Sequence, residues 1–519
     1  MAGPEKQGVM KWVHIVVALL LMFVVGNIIP VSETAYTAVI NNNEVALYSI
    51  FGALVPLTPI GLQVIMIFVG VVYSWIFIGF LWPTLLGLVA MGLSDFITTA
   101  NMNAVWSGSF GSSVAILLLF SMILFGNVEH VGATKYITRF FLTRKILNGR
   151  PIVFALIFFL ATYALSLAVN VTPSLLLMWA VLYGILKDLG YQKGEKFTSF
   201  MIVGTFLGAI SGQATLPFTG STLAIIEVFN STVYNITGTQ QDLPFLQYVI
   251  VGIVFALIGI GTYVLFMKVV CTKEDLAKVA NVSTEMFTKE PLPPMNGIQK
   301  VNFAAMLIFM FMLLAPDFMS ADWPVIGGII GVLGKMAPAG VAIFITAVMC
   351  LIRIDGEPAF NFPVVAKNHI NWDVYVMVAG AMYIANSLTH VSTGVTNWMV
   401  VLFEPVLGGH SAFIFFAIML LFGMFVTSFA SSLVIGIALM PILVHFGLQS
   451  GANIASVTTV LVLLIHYSII LPSASVFAAM LWGNDDWIKP KDVFKHAVFL
   501  VIVATAIAFA LIPLSNLLF

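Results

Sequence analysis

The sequence predicts an all-α polytopic membrane protein of about 11 transmembrane helices plus two re-entrant hairpins, arranged as an inverted repeat. Three observations predict it. Of 519 residues, 61% are hydrophobic and only 8% charged, with a mean hydropathy of +1.07, too apolar for a soluble fold of this length. Lys and Arg cluster in a few loops and are absent from Asn368 to Ile488. Polar, proline-bearing interruptions recur in the same order in the two halves of the chain.

A membrane-spanning helix needs roughly 20 apolar residues. By that measure spans are expected near 12–31, 61–81, 83–94 (short), 112–128, 197–229 (broken) and 245–269. After a polar stretch they resume near 301–316, 325–352 (broken at Lys335 to Pro338), 372–389, 453–485 (broken) and 494–517. The first run lacks a small-residue cleavage site and reads as an uncleaved span. Cys271 and Cys350 carry neither metal-type spacing nor a disulfide framework. Residues 1–270 form a first membrane half, 271–300 a cytoplasmic linker bearing Lys273, Glu274, Asp275 and Lys278, and 301–519 a second half.

Two stretches are read as hairpins, at about 151–187 and 411–447. The first is apolar but interrupted by Asn170-Val171-Thr172-Pro173, and Arg139, Arg144, Lys145 and Arg150 precede it while Lys187, Lys193 and Lys196 follow. Basic residues mark the cytoplasmic side, so both ends lie on the inner face. Two readings stay open for the interruption, a turn between full spans or a tip at mid-membrane. Unpaired backbone at mid-depth is tolerated only inside protein or beside a wet cavity. The second hairpin has no basic residue near it, which places it on the outer face. Three landmarks recur in order at a period of roughly 260 residues: Asn127-Val128-Glu129-His130 with Asn386-Ser387-Leu388-Thr389-His390, Asn170-Val171-Thr172 with Thr427-Ser428, and Leu216-Pro217 with Leu471-Pro472. Similar units of opposite topology form the inverted repeat of secondary transporters.

The charges place the N-terminus inside, by Lys6 and Lys11, and the C-terminus outside; Lys335 is the exception to the count. A broken helix offers unpaired carbonyls to a small hard cation and unpaired amides to an oxyanion, with no need for Lys or Arg. The small residues at the breaks also suit close helix packing alone. His130 and His390 fall at membrane boundaries, and Glu227 near an outer helix end. No zinc-protease pair, phosphate-cradling loop or acidic pair at magnesium spacing lies within a span, which disfavours a pump driven by ATP or a membrane metalloprotease.

At these residues the chain resembles the divalent-anion/sodium symporter family of the ion transporter superfamily. The Ser-Asn-Thr motif of that family falls on Val169-Asn170-Val171 at the first tip, keeping the Asn, and on Ser431-Ser432-Leu433 at the second, keeping a Ser, with Pro441 at the family spacing. Ala474-Ser475 matches its small-residue loop, with Thr219-Gly220 as the counterpart; the usual double proline and Asn are absent. The resemblance implies cation ligands at Asn170, Thr219, Gly220, Thr427, Ala430, Ser432 and Ala474. The expected solute site comprises Asn170, Val171, Thr172, Ser221, Ser431, Ser432 and Ser475. It further implies an elevator-type, homodimeric carrier of dicarboxylates, tricarboxylates or sulfate in the cell's inner membrane, with sodium as coupling ion and no other cofactor. A proton-coupled carrier or antiporter of the superfamily is one alternative and a membrane-embedded enzyme another, though no convergent ionisable set for an enzyme is visible. Nucleic acid is not an expected partner.

The charge asymmetry predicts sidedness. In a background lacking Cys271 and Cys350, single cysteines at Ser392 or Gln449 should react with an impermeant thiol reagent from outside, and those at Asn148 or Gln192 only from inside. Labelling of both pairs from one side would remove the inverted repeat.

Overall fold

The computed structural model describes residues 4–40, 43–96, 102–147, 149–169, 171–218, 220–281, 292–428 and 431–519. The protein is 76% helical. Among the described residues 11 helices are long and apolar enough to cross a membrane, or 12 if one bent pair is a single span.

The chain opens with α1 (Pro4–Leu20), which runs through a π-helical turn at Leu21–Val25 into α2 (Gly26–Ile28). It then forms an antiparallel sheet of β1 (Val31–Ile40), β2 (Asn43–Ile50) and β3 (Ala53–Val55), with Val31 opposite Ile50 and Ile40 opposite Asn43. The polar stretch with Glu33 and Glu44, between the first two expected spans, thus forms a small sheet within an otherwise helical chain. Val31, Thr34, Tyr36, Thr37, Val39 and Ile40 give β1 the branched and aromatic side chains that favour a pleated surface.

Next come α3 (Pro59–Phe77), α4 (Leu81–Leu93), α5 (Met102–Ser109), α6 (Ser113–His130) and α7 (Thr134–Leu142). Caps explain two of the starts: Thr58 accepts from the Gly61 amide ahead of α3, and Ser112 from the Ala115 amide ahead of α6. At 13 residues α4 is too short to cross, as the sequence hinted. The first hairpin stretch forms α8 (Pro151–Ala168) and α9 (Val171–Asp188). Each has 18 residues, and about 27 Å of helix lets either arm cross by length.

The first broken helix is α10 (Lys196–Thr215) and α11 (Gly220–Thr237), and α12 (Phe245–Val270) leads to the short α13 (Lys273–Ala277). The second half contains α14 (Gly297–Leu314) and α15 (Gly327–Leu351). Then β4 (Arg353–Ile354) pairs with β5 (Glu357–Pro358), before α16 (Phe362–His369) and α17 (Trp372–Thr389). In α15 the expected break is present: Ala337 takes φ 53° because the following Pro338 disfavours helical geometry before it and lacks an amide hydrogen. Between α18 (Val395–Leu407) and α19 (Ala412–Thr427) the chain bends by 106°, as a broken span or a re-entrant loop does. The chain ends with α20 (Ser432–Ser450), α21 (Ile454–Ile465), α22 (Val476–Trp482) and α23 (Pro490–Leu518).

The centre is α10, nearly every residue of which is buried. Its glycines 204, 208 and 212 face α8 at one-turn intervals. A Cβ on Gly208 would stand 2.5 Å from the Phe159 carbonyl oxygen, and one on Gly212 would stand 2.6 Å from Ser166 Cβ. Small residues at this spacing let two helix backbones approach closely. On the face carrying the basic loops, the residues after α12 dock on the return of α9. Lys278 Nζ lies 2.9 Å from Glu195 Oε1, Lys196 Nζ lies 3.4 Å from Asp275 Oδ2, and the Tyr191 hydroxyl donates to the Asp275 carbonyl at 2.8 Å. Bonds from Thr272, its amide foremost, hold the Asp275 carboxyl below the usual carboxylate range.

The α8–α10 contact predicts that Gly208→Val meets backbone and cannot be relieved by a rotamer change. It should destabilise the purified protein by about 1–3 kcal/mol. Thermal melting checks this, with the exposed-side control Gly261→Val, whose Cβ meets nothing.

Candidate functional site

Pro217 follows the end of α10 by two residues and cannot continue that helix, whereas Pro472 lies within the second interruption. After the first, Gly220 restarts the helix at φ +52°, a left-handed conformation in which a side chain would be strained, and a Cβ there would stand 3.2 Å from Gln213 Nε2. Between α21 and α22 lies a longer irregular segment containing a single 3-10 turn, Pro472–Ala474.

A cavity of about 60 Å³ sits against the first interruption. That is above the roughly 10–15 Å³ a cavity needs to hold a water. Its wall includes Val169 and Val171 from the α8–α9 connection, Gln213, Leu216 and Gly220 from the broken helix, and Ser121 and Glu129 from α6. Val171 and Gly220 are the first residues of α9 and α11, so two helix first turns, whose amides have no partner within their own helix, border one space. Among the described residues no Lys or Arg lines it. Among the described residues its only ionisable lining groups are Glu129 and His369, an ion pair with His369 Nδ1 3.3 Å from Glu129 Oε2 when the ring is protonated. Ser121 is 1% exposed and its hydroxyl has no partner among the described residues.

The sequence-predicted residues divide unevenly around this cavity. Asn170, Thr219 and Ala430 lie outside the described residues. Val171 and Gly220 line the cavity; Thr172, Ser221, Thr427, Ser431, Ser432, Ala474 and Ser475 do not. Hydroxyl bonding sorts several of them chemically. Thr427 donates to the Gly423 carbonyl at 2.7 Å, so its remaining capacity is as an acceptor. Ser475 Oγ accepts from the Ala478 amide at 2.9 Å as the N-cap of α22, which leaves its proton free to donate. Ser221 instead meets His466, with Oγ 3.0 Å from Nε2.

Of the histidines singled out in the sequence, His130 stacks edge-on with His369 and His390 Nδ1 lies 2.8 Å from Ser392 Oγ, both at helix ends. Sequence reasoning missed Ser121, Gln213, His369 and His466. The available signal was a larger polar or imidazole group a few residues ahead of a proline, which Gln213 and His466 satisfy. Ser121 and His369 had no such marker.

Comparison with known proteins adds two findings. The family model CitMHS, described as citrate transporter, matches residues 64–466. Among solved structures, the YdaH transporter of Alcanivorax borkumensis, reported as having an unusual topology, is similar in fold. Its TM-score is 0.53 at 12% sequence identity, over 97% of each chain. No curated protein sequence matches.

Proposed function

The chain belongs to the citrate transporter family and is a multi-pass membrane transporter, and we propose that it carries citrate-like carboxylate anions with sodium as the coupling ion. The observation that carries the solute class is the cavity bordered by the first turns of α9 and α11 and lacking Lys and Arg among the described residues. Helix N-termini favour an oxyanion through unpaired amides and the helix dipole, most strongly where water is excluded. Around it Gln213 supplies amide donors and Ser121 an uncommitted hydroxyl. From the remaining halves of the site, Asn170, Thr172, Ser431 and Ser475 complete the solute shell as it closes.

The cations, in this reading, occupy two places. One is formed by Asn170, Thr219 and Gly220, the other by Thr427, Ala430, Ser432 and Ala474. Thr427 supports the second, because its hydroxyl proton is already committed to Gly423 and its lone pairs are free. The likeness to divalent-anion/sodium symporters extends the reading to an elevator-type homodimer in the cell's inner membrane, built from inverted halves 1–270 and 301–519.

Val171 is 1% exposed and Leu433 2%, and each stands where the symporter motif has Thr. Fewer polar partners weaken binding of fully charged dicarboxylates. Uptake into proteoliposomes tests the proposal. Citrate accumulation should depend on an inward sodium gradient and be competed by other small carboxylates, and Val171→Thr with Leu433→Thr should strengthen competition by succinate. Transport of a neutral or cationic solute, uninhibited by any anion, would overturn the assignment.

A further inference from the structure

We infer that His466 is a positioning residue that fixes the Ser221 hydroxyl as a cation-facing oxygen, an inference that rests on the sodium-coupled reading above. The two side chains are 245 residues apart in sequence and come from the two broken helices. Ser221 is the second residue of α11, just past the first interruption, and His466 caps α21 at the start of the second.

His466 Nδ1 lies 2.7 Å from the Val462 carbonyl oxygen. A carbonyl only accepts, so Nδ1 carries a proton. In the neutral ring Nε2 is then an acceptor, and its nearest hydroxyl is Ser221 Oγ at 3.0 Å, with Thr222 Oγ1 farther at 3.4 Å. A serine hydroxyl has one proton. Donated to Nε2, it leaves Ser221 Oγ nothing but lone pairs to present at the break. Such an oxygen attracts a small hard cation and opposes a carboxylate. Ser221, placed with the solute shell by sequence, belongs by this geometry with the cation ligands Thr219 and Gly220 that precede it.

The ring is held where it can exert this control. Next to it, the Tyr467 hydroxyl donates to Ser211 Oγ at 2.8 Å, and Ser211 donates in turn to the Leu207 carbonyl at 2.6 Å, tying the end of α21 to α10. Among the described residues the histidine that meets a carboxylate is His369, not His466, so no acidic partner holds this ring doubly protonated. The contact also joins the two interruptions directly, which gives cation occupancy at the first a route to the second.

The test uses the full chain, wild type and variants, reconstituted for citrate uptake and, separately, melted in detergent in sodium or potassium. Ser221→Ala and His466→Leu should each raise the sodium concentration for half-maximal uptake by about tenfold, the factor that about 1.4 kcal/mol represents. The KM for citrate at saturating sodium should stay within about threefold, because the solute contacts remain. His466→Gln retains an acceptor for the hydroxyl and should restore much of the sodium response. The double variant should be no worse than the worse single one, since Ser221→Ala deletes and His466→Leu misorients the same oxygen. In detergent, Ser221→Ala should lose the sodium-specific rise in melting temperature, a readout that stands even if His466→Leu fails to fold. A normal sodium response with a raised citrate KM, or additive effects of the two substitutions, overturns the positioning role. A wild type that carries citrate indifferent to sodium overturns the sodium-coupled reading and this inference with it. These failures are distinguished by the wild-type measurement.

Discussion

The rest of the structure depends on one constraint, that backbone amides and carbonyls left unpaired within a membrane must be satisfied inside the protein. The chain interrupts helices after Thr215 and after Ile465, and each interruption frees several such groups. The stretch from Lys196 to Thr237 is accordingly wrapped and almost wholly buried. The glycine stripe on α10 brings α8 against it, and Tyr248 reaches in to donate to the Ala214 carbonyl at 2.9 Å, at the last turn before the break. Burial thus creates a place where fixed dipoles act at low dielectric, and a site for ions need not be built from charged side chains.

How a hydroxyl is bonded then matters more than where it lies. Thr427 and Ser475 are both small hydroxyl residues near the second half's interruptions, yet one has committed its proton and the other accepts an amide and still has its proton to donate. The first suits a cation and the second an anion. The same logic makes the cavity at the first interruption informative. It is bordered by first-turn amides, an amide side chain and an unpartnered serine, while its carboxylate Glu129 is answered by His369.

Much of the fold was legible in the sequence because membrane helices announce themselves by length and apolarity. Prolines 217, 338 and 472 located the interruptions, since proline acts locally. The sheet at 31–55 was not legible, because branched residues of β1 such as Val31, Thr37 and Val39 are interspersed with Ser32, Glu33 and Ala38 and show no strict alternation. The site was less legible. Val171 and Gly220 were placed at the site by the family resemblance and do share a cavity, whereas Ser121 and His369 reach it only through tertiary packing. The bond between Ser221 and His466 spans 245 residues, and no local pattern encodes such a pairing. Motif matching could propose these positions, but it could not tell which hydroxyl still holds its proton.

The central claim is that an anion and a cation meet at the interrupted helices and stabilise each other there. It is tested most directly by titrating the purified protein with citrate in sodium and, in parallel, in potassium, while following its melting temperature. The account predicts a citrate-dependent rise that is much larger in sodium, and a sodium-dependent rise that grows with citrate, because coupling between two bound ligands is reciprocal. Stabilisation by a neutral or cationic solute, with no response to citrate or any other small carboxylate in either salt, would contradict it.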